Sequence, residues 1–107
     1  MTATADGATE KFACLVRVRA HPGRGDELIQ GYSPVFAQVS AEEKTELFTL
    51  SRSVDDPDQF FCFETFASRA DFDAHRARAL AGHDLDALNA ATAEREFVWG
   101  IPVWSKG

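Results

Sequence analysis

The sequence predicts an α+β domain of the order strand, helix, strand, strand, helix, strand, and three observations carry that expectation. At 107 residues, with 45% hydrophobic and 26% charged residues, the chain suits one globular domain and is too short for two with separate cores. Four stretches alternate with the period of two that a strand requires or run densely apolar and aromatic. Two stretches between them place apolar residues at helical spacing. This order is the split βαβ pattern of ferredoxin-like folds, in which helices cover one face of a four-stranded antiparallel sheet.

Taken in turn, Phe12 to Ala20 alternates, with Phe12, Cys14, Val16 and Val18 on one face and Ala13, Leu15, Arg17 and Arg19 on the other. His21-Pro22-Gly23-Arg24-Gly25 supplies a turn, and Asp26 is placed to cap a helix over 26–40. In that helix Leu28, Ile29, Tyr32, Val35, Phe36 and Val39 form one apolar stripe, and Pro34 predicts a kink or restart near Ser33. Residues 45–54 and 59–66 read as two strands joined by the polar turn Asp55-Asp56-Pro57-Asp58, an antiparallel hairpin. Ser68 and Asp71 have capping-box spacing and open a helix bearing Phe72, His75, Arg76 and Ala79, interrupted near Gly82. A further helix is expected over 84–94, then a last strand over 97–104 that Pro102 confines to a sheet edge.

Residues 1–10, small and polar, are expected to form a disordered tail ahead of a domain spanning 11–107. Eleven Lys and Arg against 17 Asp and Glu give a net charge of −6, and the basic residues are scattered, which argues against nucleic acid or an anionic bilayer as partner. No stretch reaches the roughly 18 apolar residues of a membrane span, and the start of the chain lacks the features of a signal peptide, so a soluble cytoplasmic protein is expected. Cys14 and Cys62 lie in apolar runs and read as buried reduced thiols. Nine Phe and two Trp are many rings for one small core. Because Phe60-Phe61-Cys62-Phe63 and Phe97-Val98-Trp99 put apolar groups on both faces of their strands, the second sheet face is expected to be covered by another copy of the chain.

Three segments carry a resemblance: Val18-Arg19-Ala20-His21-Pro22-Gly23; then Leu50 to Phe60 with its Asp-Asp-Pro turn; then Phe63-Glu64-Thr65-Phe66-Ala67-Ser68, running on to Ala74-His75. In their order and spacing these resemble the antibiotic biosynthesis monooxygenase family. The resemblance implies a dimeric α/β barrel with a cleft between sheet and helices in each subunit. It also implies oxidation of a small aromatic, quinol or polyketide-type phenol by molecular oxygen with no cofactor. Such a substrate supplies its own electrons, so the protein has to bind a flat ring, manage a proton and exclude water. The sequence departs from the family in four places. Glu42-Glu43-Lys44 stands where many relatives have Glu-Pro-Gly, Phe48 where a Tyr often follows, Phe66 where several carry a cleft Trp, and Cys62 where some oxygenases have Asn.

The candidate catalytic residues are His75, whose imidazole can accept a phenol proton near neutral pH, and Glu64, which can orient it. A carboxylate on so aromatic a strand needs a partner, with Arg17, Arg19 and His75 in reach by pattern. Tyr32, Cys62, Phe66, Phe72, Trp99 and His83 are the candidate substrate-binding residues, the rings as stacking walls and His83 as a second imidazole beside a helix break. No metal site is expected. Two alternatives remain: a haem-binding or haem-degrading barrel with His75 or His83 as ligand, and a non-catalytic ligand-binding dimer.

Overall fold

The computed structural model of the protein describes residues 10–82 and 85–106. Its elements are β1 (Phe12–Ala20), α1 (Gly25–Gly31), α2 (Ser33–Ser40), β2 (Thr45–Arg52), β3 (Gln59–Phe66), α3 (Arg69–Gly82), α4 (Asp86–Ala91) and β4 (Thr92–Gly100). The strands make one antiparallel sheet in the order β2-β3-β1-β4, the ferredoxin-like α+β topology. Among the described residues no helix is long and apolar enough to cross a membrane.

The alternation of β1 puts Phe12, Cys14, Val16, Val18 and Ala20 under the helices, and β3 adds Phe60, Cys62, Glu64 and Phe66 to the same face. From above, the helices contribute Leu28, Tyr32, Val35, Phe72 and Leu88. Burying a side chain of this kind stabilises by about 1.5–3 kcal/mol, so these residues are the main attractive force holding helices to sheet. Cys14 and Cys62 are buried free thiols.

The long first helix is two helices. Tyr32 separates α1 from α2, and Pro34 sits in the first turn of α2, where its missing N–H costs nothing. Gly31 at the break lets α4 come close: a Cβ there would stand 2.7 Å from the Leu88 backbone. Asp26 does not cap α1, which has no side-chain cap; it pairs with Arg52 at 2.8 Å instead. The preceding turn is held by Asp58, whose Oδ2 accepts from the Gly23 N–H at 2.9 Å, and Gly23 has the positive φ of 78° that favours glycine. At α3 half of the capping box forms, the Asp71 N–H donating to Ser68 Oγ at 3.2 Å, while the Asp71 carboxylate accepts from the Ser68 hydroxyl at 2.8 Å.

The C-terminal boundary differs most from expectation. The helix over 84–94 shrinks to α4, and the last strand begins at Thr92 and ends before Pro102. Pairing with β1 decides this, since Glu94, Arg95 and Glu96 lie opposite Arg19, Val18 and Arg17, and the ladder outweighs the modest helical preference of an Ala-rich run. β4 is an edge strand, as expected, though Pro102 lies beyond its end. On the sheet face away from the helices, Leu47, Phe61, Phe63 and Val98 are each between 41 and 44% exposed.

Candidate functional site

The Ser68 cap fixes where α3 begins and therefore which of its residues face the sheet. Three and seven residues after Arg69, which follows the cap, Phe72 and Arg76 meet the aromatic strand residues, and His75 lies between them, buried. The His75 ring packs beside Phe66, centroids 5.2 Å apart, and Phe48, at 6.2 Å.

A buried imidazole needs hydrogen-bond partners, and His75 has a carboxylate on each side. Its Nδ1 lies 2.8 Å from Glu42 Oε1, and its Nε2 faces Glu64 Oε1 at 3.7 Å. Glu42, whose side chain is 5% exposed, comes from the loop before β2. Burial alone would raise its pKa, but hydrogen bonds from Gln38, His75, Thr45 and Arg78 outweigh that and lower it to about 2. An ionised Glu42 assigns the proton to Nδ1, which donates, and leaves the Nε2 lone pair free on the other side of the ring. Gln38 completes the clamp: its Nε2 donates to Glu42 Oε2 at 2.8 Å and to the His75 carbonyl at 3.1 Å.

Glu64 is buried on the inner face of β3. Arg17 and Arg19 are not its partners, because they point to the other face and pair with Glu96 and Asp56. Burial raises its pKa to about 7; a Cys62 hydrogen bond opposes the rise and the Glu42 charge adds to it. Glu64 thus exchanges its proton near neutrality while Glu42 stays ionised.

A cavity of about 250 Å³ opens beside this row of groups. His75, Glu64, Tyr32 and Phe72 all line it, so four of the sequence candidates meet in one place. Val16, Val35, Phe48 and Leu88 supply apolar wall, and Arg76, Asn89, Arg95 and Phe97 the side near β4. Burial raises the Tyr32 hydroxyl above its usual range. Three candidates lie off the cavity lining. Phe66, fully buried, backs the His75 ring; Cys62 is buried beside Glu64, with its thiol also raised by burial. Trp99 is 45% exposed and packs on Phe72 at 5.7 Å and Phe12 at 6.3 Å, with the Arg69 and Arg76 guanidinium groups over its ring. His83 lies outside the described residues. Glu42 escaped the sequence reading because it stood at a departure from the family pattern. Its one local signal was Gln38 four residues earlier, a spacing that suits side-chain pairing. Sequence alone gives Arg76 a place on α3 and neither it nor Arg95 a role.

Residues 11–83 match the family model for antibiotic biosynthesis monooxygenase. None of the curated proteins matches the chain. Among solved structures, a protein from Nitrosomonas europaea classed with the antibiotic biosynthesis monooxygenases superposes with a TM-score of 0.78 at 21% identity, covering 98% of this chain and 100% of that one. SnoaB, a cofactor-independent oxygenase from Streptomyces nogalater, gives 0.76 at 16% identity, covering 90% and 96%. At these identities the likeness is one of fold.

Proposed function

Because the chain belongs to the antibiotic biosynthesis monooxygenase family, we propose that it is a monooxygenase that oxidises a small electron-rich phenol, quinol or anthrone-type ring with molecular oxygen and no cofactor. The observation that carries this reading is the buried row Glu42, His75, Glu64 set against an apolar cavity. The cofactor-free chemistry named for SnoaB calls for proton handling beside an apolar wall, and this row and cavity supply both.

In this reading the substrate ring lies against Phe72, Val35 and Leu88 with its hydroxyl toward His75. Nε2 takes the phenol proton, and ionised Glu42, bonded to Nδ1, stabilises the imidazolium that results. The phenolate passes an electron to oxygen, and recombination of the radical pair forms the carbon–oxygen bond. Where the reacting carbon carries two hydrogens, as in an anthrone, one oxygen atom ends as the carbonyl and the other leaves as water. Glu64, near its titration point, can donate the proton that helps the water depart. The haem alternative also uses Nε2, as the ligand to iron, and a haemin titration without a Soret shift dismisses it.

We also read the exposed apolar sheet face, Leu47, Phe61, Phe63 and Val98, as the surface a second copy covers. Oxygen uptake with a panel of anthrones and substituted hydroquinones tests the enzymatic reading. Turnover that falls at least about a hundredfold in His75→Ala supports it, that being the usual size of a general-base contribution. Turnover equal in the variant removes His75 from the mechanism, and no uptake with any ring leaves the non-catalytic binding module as the better account.

A further inference from the structure

Toward β4 the cavity carries charge that the proton chemistry above does not use. Arg76 and Arg95 both line it, and among the described residues neither forms an ion pair with a carboxylate. Of the six other arginines, Arg17, Arg19, Arg24, Arg52 and Arg78 are each paired with an acid, and Arg69 rests on the Phe12 and Trp99 rings away from the cavity lining. Arg76 rests on ring faces, 5.3 Å from the Phe97 centroid and 5.7 Å from that of Trp99, which holds a guanidinium in place without neutralising it. Arg95 makes one long contact, 3.5 Å to Thr92 Oγ1, and its charge is felt at the Tyr32 hydroxyl. That hydroxyl also lines the cavity from a residue only 7% exposed, with no hydrogen-bond partner among the described residues.

Sheet register fixes how these groups are arranged. Glu64 pairs with Cys14 and Trp99 in one row, while Phe60, Val18 and Arg95 share a row four residues along. Four residues of strand span about 13 Å and two strand spacings about 10 Å, so Glu64 and Arg95 lie at opposite corners of the inner face. Arg95 thus stands at the far end of an apolar floor from Glu64, and Arg76, over Phe97 and Trp99, lies between them. The volume of about 250 Å³ falls below the usual range for drug-sized ligands, about 300–1,000 Å³, and favours a compact molecule.

We infer that the substrate is an acidic aromatic: a compact phenol or quinol bearing a carboxylate, which Arg76, Arg95 and the Tyr32 hydroxyl bind while the phenolic hydroxyl is turned to His75. This specificity rests on the monooxygenase reading for its reaction, but not for its binding. A guanidinium pair can fork onto a carboxylate, and Tyr32 donates a third hydrogen bond. Anchoring one end fixes which ring hydroxyl reaches Nε2.

The test is calorimetric titration under nitrogen with 2,5-dihydroxybenzoate and with its methyl ester, which keeps the quinol and removes the charge. The acid is expected to bind about ten- to a hundredfold more tightly than the ester, as charged hydrogen bonds imply. In Arg76→Gln/Arg95→Gln that ratio should fall to near one, and Arg95→Lys, which keeps the charge and loses the fork, should retain part of it. Equal affinity for acid and ester, binding of neither, or a preference that survives the double substitution overturns the inference. Oxygen uptake separates it from the reaction proposed above: a charge preference without turnover refutes only the chemistry, and turnover indifferent to the carboxylate refutes only the specificity.

Discussion

Glu64→Gln isolates the energetic consequence of burying a titratable carboxyl beside His75. In the fold Glu64 titrates near 7 against an ordinary 4.5, because burial penalises its charged form. Its folded pKa is the higher of the two, so between pH 4.5 and 7 the unfolded chain has released a proton that the folded chain keeps. Stability is therefore fully present below about 4.5, falls as pH rises toward 7, and levels off above it. At about 1.4 kcal/mol per pH unit, the gap amounts to roughly 3 kcal/mol. Gln has nearly the same shape and does not titrate. Urea unfolding of both proteins from pH 4 to 8 should find them close at pH 4 and the variant more stable at pH 8 by up to about 3 kcal/mol. Groups common to both proteins cancel in the difference. A difference that stays constant across the range would refute the claim that Glu64 is held neutral by burial.

Further expectations follow from neighbouring contacts. Glu42→Ala leaves His75 and Arg78 without their carboxylate and should lower stability by about 3 kcal/mol, seen as a lower urea midpoint at pH 7; a change under about 1 kcal/mol would mean the clamp is solvated. Gly31→Ala should cost about 1–3 kcal/mol by forcing a methyl against the Leu88 backbone, whereas Gly100→Ala, with nothing within 4 Å, should be tolerated; thermal melts that rank them the other way would contradict the α1–α4 packing. Phe63→Glu should convert a dimer to a folded monomer by light scattering, and a wild-type protein that is already monomeric would remove the reading of the outer sheet face.

Where the sequence located elements well, a local device fixed them. β3 occupies the span expected because an Asp-Asp-Pro-Asp turn precedes it and Ala67-Ser68 ends it. The restart at Ser33 followed from Pro34, and the start of α3 from the Ser68–Asp71 pair. Non-local contacts decided what was misjudged. Thr92 to Glu96 carries no strand signal of its own and becomes a strand because Arg17, Val18 and Arg19 lie across from it. His75, Glu64, Tyr32 and Phe72 could be gathered into one site because period and spacing put them on facing surfaces. Glu42 could not, since a loop residue takes its role from a histidine 33 positions away. The cationic end of the cavity was hidden similarly: in sequence Arg95 is flanked by Glu94 and Glu96, which suggests neutralisation, whereas alternation sends those two to the opposite sheet face.

The central place of β1 in the sheet sets the order of assembly in time. The first strand to leave the ribosome must wait for β3 before one of its edges is paired and for β4 before the other is, with Ala13 finding its partner only at Gly100. Topologies dominated by such distant pairings fold slowly. Because Arg95 and Phe97 ride on β4, the cavity lining is complete only once β4 has paired with β1. A nascent chain that has not yet delivered β4 carries His75 and Glu64 beside an open sheet edge.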